Sequence, residues 1–122
     1  MEWEMLFSEK ENILFIKTHG IFDMITNTEL IKEFLEVIRK QNCRRCLIDN
    51  GKIESENIGT LDIYSIPALL TELDFPRDLR IAEVISEKYA KDFRFLETVC
   101  HNNGYSVSAF FDVESALQWL KH

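Results

Sequence analysis

The chain has 122 residues, of which 46% are apolar and 29% charged, and its formal charge at pH 7 is −7. This balance is typical of one soluble globular domain over residues 1–122, and nine Phe with only four Gly and two Pro exclude a disordered, collagenous or multidomain chain. The acidic excess argues against a general nucleic-acid binder, because the average surface repels phosphates.

Two apolar runs open the chain, Trp3–Phe7 and Ile13–Thr18, and the polar residues between them predict a turn, so the first element is a hairpin. Thr26 and Glu29 form a capping box, which marks the start of a helix. Apolar residues at helical spacing follow, so we expect the first helix to run from about residue 27 to residue 41.

The middle of the chain contains one short strand, a polar segment and a second helix. Cys46–Ile48 is an apolar run that ends at Asp49–Gly51, which is typical of a buried strand stopping at a turn. The polar segment Lys52–Gly59 is a predicted loop. The residues that follow are typical of a helix, but Pro67 disfavours an unbroken one, so we expect a start near Ser65 or a kink.

The last third of the chain repeats a strand–helix pattern twice. Leu79–Ile85 is a predicted strand, and Ser86 is a suitable N-cap for a helix that ends at Asn103–Gly104. Val107–Phe111 is the final predicted strand, and Asp112 caps a closing helix. We expect four residues of that helix to face inward, namely Val113, Ala116, Leu117 and Leu120.

The predicted elements follow the order β-β-α-β-α-β-α-β-α. Strands separated by helices pair in parallel through right-handed crossovers. The fold class is therefore α/β, with four mainly parallel strands, an antiparallel N-terminal strand and four helices.

Four segments together resemble the STAS or SpoIIAA-like family, whose best-known members are anti-sigma factor antagonists. They are His19–Asp23, Cys46–Asp49, Arg80–Val84 and Phe110–Leu120, in this order over nearly the whole chain. The resemblance is to a divergent branch of that family, and it implies strands adjacent in chain order and a regulatory role. It also implies a fold similar to that of lipid-binding SEC14 domains.

Antagonists of that family present an Asp-Ser-Ser-Gly motif at the helix after the third strand, where one serine is phosphorylated. The matching register here is Glu56–Gly59, with Ile58 at the position of the phosphoacceptor, and Ser55 and Thr60 are the nearest hydroxyls. A hydroxyl beside a helix start is more often an N-cap. The predicted partner-binding or switch loop consists of Asp49, Asn50, Ser55, Glu56, Asn57, Gly59 and Thr60.

A second candidate site lies at the carboxyl ends of the strands, where ligands collect in open parallel sheets. It contains His19, Asp49, Ser86 and Asp112. His19 and Asp49 could form an acid–base pair, but strand-terminal His and Asp residues commonly cap turns, and no nucleophile stands beside them. We therefore expect no enzyme.

Cysteine usage argues against metal and redox sites. Cys43, Cys46 and Cys100 are an odd number, which fits reduced thiols and a cytoplasmic protein. Cys43 follows a helix, where the dipole disfavours a thiolate, and Cys100 with His101 is too distant in sequence for a compact zinc site. We expect no metal and no cofactor. The N-terminus has no signal-peptide pattern, and no apolar run reaches the roughly 18 residues of a membrane span.

Glu83 lies inside an apolar strand, so either its face is partly wet or Lys17 or Arg45 reaches it. Strand order along the chain places all crossover helices on one side of the sheet. The other side could carry an apolar patch for a homodimer or a lipid tail, although helix packing is the more frequent outcome. Its candidate members are Trp3, Met5, Phe7, Ile13 and Phe15.

Two functions remain open from the sequence. The first is a non-catalytic cytosolic module that binds a protein partner through the segment from Asn50 to Thr60. The alternative is a carrier of a small apolar ligand or lipid on the sheet face.

Overall fold

Five strands form one sheet in chain order, β1-β2-β3-β4-β5, in a computed structural model that describes all residues from Met1 to His122. β1 is antiparallel to β2 and the other neighbours are parallel, as predicted. The strands are β1 (Glu2–Ser8), β2 (Ile13–Asp23), β3 (Arg45–Asn57), β4 (Arg80–Val84) and β5 (Ser106–Phe110). The predicted α/β class and element order are confirmed.

Four α-helices connect or follow the strands: α1 (Met24–Gln41), α2 (Thr60–Glu72), α3 (Ala90–Asn102) and α4 (Val113–Lys121). Ser86 caps a 3₁₀ turn, Glu87–Tyr89, that leads directly into α3, and Gly104 follows the end of α3 with φ +84°. Asp112 caps α4 by accepting a hydrogen bond from the Ser115 amide at 2.7 Å. These start and stop signals agree with the sequence.

The two faces of the sheet are covered by different helices. α1, α2 and α3 cover the first face, where Leu14, Ile16 and Ile48 belong to the larger core. α4 covers the second face, where Ala116 and Leu120 pack on a smaller core that contains Ile13, Leu47, Ala82 and Val84. Val113, which was predicted to face inward, is exposed because the buried stripe of this short helix is formed by Ala116 and Leu120.

The predicted patch on the second face is divided between the two faces. Trp3, Met5 and Phe7 lie opposite Thr18, Ile16 and Leu14, and pack partly buried against the larger core on the first face. Ile13 is fully buried under α4, and Phe15 packs partly buried against the same smaller core. Helices therefore cover most of these side chains.

α1 begins three residues earlier than predicted. β2 continues to Asp23, whose carboxylate accepts from the Thr26 amide at 2.8 Å, so Asp23 and not Thr26 is the N-cap. The chain passes from strand to helix with no intervening loop. α1 ends at Asn42, a left-handed residue with φ 50°, which suits the residue type.

The main correction concerns β3, which does not stop at Asp49–Gly51. It continues to Asn57, so most of the predicted loop Lys52–Gly59 is strand. Beyond Asp49, β3 no longer pairs with β4 and pairs only with β2. The segments 19–23 of β2 and 52–57 of β3 therefore form a two-stranded ribbon that projects past the sheet, which we call the β2–β3 extension.

The extension departs from regular pairing at its base. The β2–β3 register shifts between Lys17 and His19 and again between Gly20 and Ile21, so β3 carries extra residues at both points. Such bulges increase twist and re-aim the strand. Asn50 lies at the first of them.

α2 also differs from the prediction, because it runs through Pro67 without interruption from Thr60. Proline removes one backbone hydrogen bond. Burial of Ile63, Ile66 and Leu70 in the larger core offsets this loss. None of the helices is both long and apolar enough to cross a membrane.

Candidate functional site

The predicted switch segment spans a strand and a helix start. Asp49 and Asn50 lie in β3 where its pairing with β4 ends, and Ser55, Glu56 and Asn57 lie in the β2–β3 extension. Gly59 is the N-cap of α2, and Thr60 is the first residue of that helix. The segment is therefore held by backbone hydrogen bonds rather than being a free loop.

The start of α2 is fixed by Asp62. Its carboxylate accepts a hydrogen bond from the Gly59 amide at 2.9 Å, and its backbone carbonyl accepts from the Ser65 hydroxyl at 2.6 Å. Ile58, at the phosphoacceptor position of the resemblance, packs partly buried against the larger core. Ser55 and Thr60 are exposed.

Large apolar side chains are exposed around this helix start. Leu61 is 83% exposed and Tyr64 is 69% exposed, on the first two turns of α2. Ile25, at the start of α1, is 75% exposed. It lines an open groove together with Ile21 and Asn57. We call Ile21, Ile25, Asn57, Leu61 and Tyr64 the α2-start surface.

Sequence reasoning did not predict that Leu61 and Tyr64 are exposed on α2, because it expected the helix to start near Ser65 or to be kinked. The buried stripe consists of Ile63, Ile66 and Leu70, at helical spacing. Leu61 precedes Ile63 by two residues, which is about 200° around a helix. A helical wheel beginning at Thr60 would have shown this, but the expected start near Ser65 concealed it.

The four residues of the predicted strand-end site serve local hydrogen bonds. His19 pairs with Glu2 at 2.9 Å, and both side chains are largely exposed. Asp49 accepts from the Gly51 amide at 2.9 Å, and Ser86 and Asp112 cap helical turns. Of the four, only His19 lines the open groove. The capping hydrogen bond to Ser115 lowers the pKa of the Asp112 carboxyl.

A buried polar row crosses three strands on the first face of the sheet. The Thr18 hydroxyl donates to Asn50 Oδ1 at 2.6 Å, and Asn50 Nδ2 donates to Glu83 Oε1 at 3.0 Å. All three residues are buried. Neither Lys17 nor Arg45 bonds to Glu83, because both lie at alternate strand positions that face the other side of the sheet. The sequence analysis expected Lys17 or Arg45 beside the Glu83 carboxyl, but its hydrogen-bond partner is the side-chain amide of Asn50.

Burial raises the pKa of Glu83 to about 7, although the hydrogen bond from Asn50 opposes the rise. The alternation of Cys46, Ile48 and Asn50 on one face was the signal that could have predicted this partner. It was missed because Asn50 was assigned to a turn.

A cavity of about 40 Å³ lies between Glu83 and the helices. Its two polar lining residues are Glu83 and Asn27 of α1. The apolar lining comes from Phe22, Ile31, Phe34, Ile48, Ile66, Leu70, Ile81, Leu96, Cys100 and Val107.

Glu56 and Asp92 form a pair of carboxyls between the extension and the first turn of α3. Burial, a hydrogen bond with Asp92 and the charge of Asp92 together raise the pKa of Glu56 to about 7. Glu56 Oε2 is sealed from solvent. At neutral pH the Glu56 carboxyl is therefore protonated part of the time.

The three cysteines are buried and unpaired. Burial and the charge of Glu83 raise the pKa of Cys46 well above its usual range and that of Cys100 to about 12. These two thiols are therefore protonated at neutral pH, which suits core packing. No three His, Cys, Asp or Glu side chains converge in a way that could hold a metal ion.

Solved structures provide the comparison, since no family model and no curated protein sequence matches the chain. An uncharacterized protein of the DUF3478 family from Shewanella loihica PV-4, described as having a SpoIIAA-like fold, is 19% identical with a TM-score of 0.60 over 98% of this chain and 92% of that one.

Two anti-sigma factor antagonists are also similar. Unphosphorylated SpoIIAA is 13% identical with a TM-score of 0.56 over 98% of each chain. An antagonist from Mycobacterium paratuberculosis is 11% identical with a TM-score of 0.61 over 99% of this chain and 96% of that one. At these identities the likeness concerns architecture, and the strand order, the antiparallel entry strand and the four helices agree with it. The chain therefore has the SpoIIAA-like fold.

Proposed function

We propose that this protein is a non-catalytic regulatory module of the cytoplasm that acts by binding a protein partner through the α2-start surface. The fold is shared over nearly the full chain with two anti-sigma factor antagonists, which supports a regulatory role. Buried, unpaired cysteines agree with a reducing compartment.

The exposure of Leu61 and Tyr64 is the observation that carries the proposal. Apolar area left in water costs about 25 cal/mol per Å², so burial of these two side chains against a partner would be favourable. Tyrosine is enriched in protein interfaces, where its ring is buried and its hydroxyl finds a partner. Asn57 and Thr60, which are exposed and close to them in sequence, would supply hydrogen-bonding groups at the rim of such an interface.

The proposed mechanism is docking, with Ser55 and Thr60 as the hydroxyls open to a kinase. Ile58 occupies the phosphoacceptor position and packs on the core, so a switch of the antagonist type would have to use one of these two exposed side chains. A phosphate on Thr60 would meet the free amides at the start of α2, where the helix dipole favours negative charge.

The cavity volume argues against the carrier alternative. Small-molecule pockets enclose roughly 300–1,000 Å³, whereas the cavity beside Glu83 has about 40 Å³. Helices cover both faces of the sheet. The groove lined by Ile21 and Ile25 is larger, at about 860 Å³, but it is open to solvent and only four of its ten lining residues are hydrophobic.

Site-specific photo-crosslinking in the cell of origin tests the docking proposal. A benzoylphenylalanine at Tyr64 should crosslink one protein reproducibly, and Leu61→Asp in the same chain should abolish that product. The matched control carries the probe at Gln118, an exposed residue of α4 on the other side of the sheet. The same product from position 118, or no change with Leu61→Asp, would contradict the proposed surface.

Self-association is a separate prediction. β1 forms an edge of the sheet with no strand beyond it, and an open edge can pair with a second copy. Native mass spectrometry at micromolar concentration should detect a dimer, and a monomer at every concentration would contradict this prediction.

A further inference from the structure

We propose that Thr18, Asn50 and Glu83 form a latch whose protonation state sets how firmly the β2–β3 extension is held, and thereby regulates the α2-start surface. The regulatory part rests on the proposed function, whereas the latch itself does not. Its position at the base of the extension is the first reason for the assignment.

The latch is the last side-chain link across three strands before the extension begins. β3 loses β4 as a neighbour after the Asp49–Val84 pair, and the first register shift against β2 follows immediately. Asn50 lies at this point and is tied to β2 by Thr18 and to β4 by Glu83. A weakened link would release strand segments that lack a neighbour on one side.

No charged side chain compensates Glu83. The facing groups on the surrounding elements are apolar, amide or thiol, and burial keeps the thiols of Cys46 and Cys100 protonated through the neutral range. Ionisation of the carboxyl therefore leaves a single negative charge in an apolar environment, which is unfavourable unless water reaches it. The facing residues are Asn27 of α1, Ile66 and Leu70 of α2, Leu96 and Cys100 of α3, Cys46 and Ile48 of β3 and Val107 of β5.

The cavity makes hydration of Glu83 accessible by a local opening. It adjoins the carboxyl and also includes Phe22, the residue of the extension that is anchored in the core. Water entering to solvate an ionised Glu83 would therefore displace the contacts that hold Phe22. Ionisation favours an open state of the extension, and protonation favours the closed state.

Amide hydrogen exchange on the full chain tests the latch without any partner. If opening returns Glu83 to its ordinary pKa, linkage gives about a tenfold larger opening constant at pH 8 than at pH 6, after correction for intrinsic exchange. We expect this increase for the amides of residues 20–23 and 53–57. Because Glu56 also has a raised pKa within the extension, the contribution of Glu83 is measured in a Glu56→Gln background. There the increase should be lost on adding Glu83→Gln, or Glu83→Met, an apolar variant of similar length that serves if the first does not fold.

Glu56→Gln is the matched control, because Glu56 titrates in the same range within the extension itself. Loss of the effect in Glu56→Gln but not in Glu83→Gln would overturn the latch, as would an unchanged opening constant in the wild type.

Crosslinking from position 64 at pH 6 and pH 8 separates the two proposals. An exchange effect without any crosslinked partner would support the latch and contradict the proposed function. A crosslinked partner without an exchange effect would support the function and contradict the latch.

Discussion

Replacing Glu83 by Gln should make the protein more stable at neutral and alkaline pH. Glutamine keeps an oxygen that accepts the hydrogen bond from Asn50, so the change removes the titration and preserves the contact. The carboxyl of the wild type has a pKa of about 7 when folded against 4.5 as the ordinary value. The folded state therefore binds more protons than the unfolded state between these two pH values.

The sign of the effect follows from this difference. The contribution of Glu83 to stability is fully present below about pH 4.5, and it is lost as the pH rises through the folded pKa of about 7. At 1.36 kcal/mol per pKa unit, the wild type should lose roughly 2 to 3 kcal/mol relative to Glu83→Gln between pH 5 and pH 8. For a domain of this length that corresponds to about 10 °C in Tm.

The assay is urea unfolding of both proteins at several pH values, followed by circular dichroism. The quantity of interest is the difference between the two curves, because the Glu56–Asp92 pair titrates in the same range in both proteins and cancels. Glu36→Gln, at an exposed position of α1, is the control and should parallel the wild type. Curves for Glu83→Gln and wild type that stay parallel from pH 5 to pH 8 would refute the assignment of a raised pKa to Glu83.

Three further predictions concern the core and the turns. Leu120→Ala should lower the free energy of unfolding by about 2–5 kcal/mol in urea, because Leu120 is fully buried between α4 and the sheet; a loss below 1 kcal/mol would show that α4 does not seal the second face. Gly104→Ala should lower the free energy of unfolding by about 1–2 kcal/mol, because its φ of +84° is unfavourable for alanine and the new β-carbon would lie 3.2 Å from Arg77 Nε. An unchanged stability would contradict this backbone geometry. The three buried thiols should react with Ellman's reagent only after unfolding, and rapid labelling of the native protein would contradict their burial.

Strong local signals were sufficient for most of the fold. Buried apolar runs, N-caps such as Asp112 and the glycine after α3 each specify their element through a few neighbouring residues. A helix between two strands lets them pair in parallel through a right-handed crossover, so the alternation of strands and helices leaves few possible strand orders. The resemblance to SpoIIAA-like proteins rested on the same segments, and the structural likeness agrees with it.

The second half of β3 could not be recognised in this way. The segment Lys52–Asn57 contains one apolar residue, Ile53, and its charged neighbours are typical of a loop. It is a strand because β2 continues beside it, and β2 continues because Phe22 is anchored in the core under α3. Both conditions depend on tertiary contacts, which a local pattern does not contain.

The same dependence on tertiary structure explains why Glu83 and Tyr64 are the informative residues of this chain. A carboxyl inside an apolar strand and an aromatic ring on an exposed turn each contradict the pattern of their element, so each requires a cause outside it. For Glu83 the cause is within the molecule, in the amide of Asn50 across the sheet. No contact within the chain buries Tyr64, and under the proposed function its counterpart is a partner protein. Under the two proposals, the β2–β3 extension, which lies between Asn50 and the start of α2, would transmit a change of protonation at Glu83 to the surface proposed for docking.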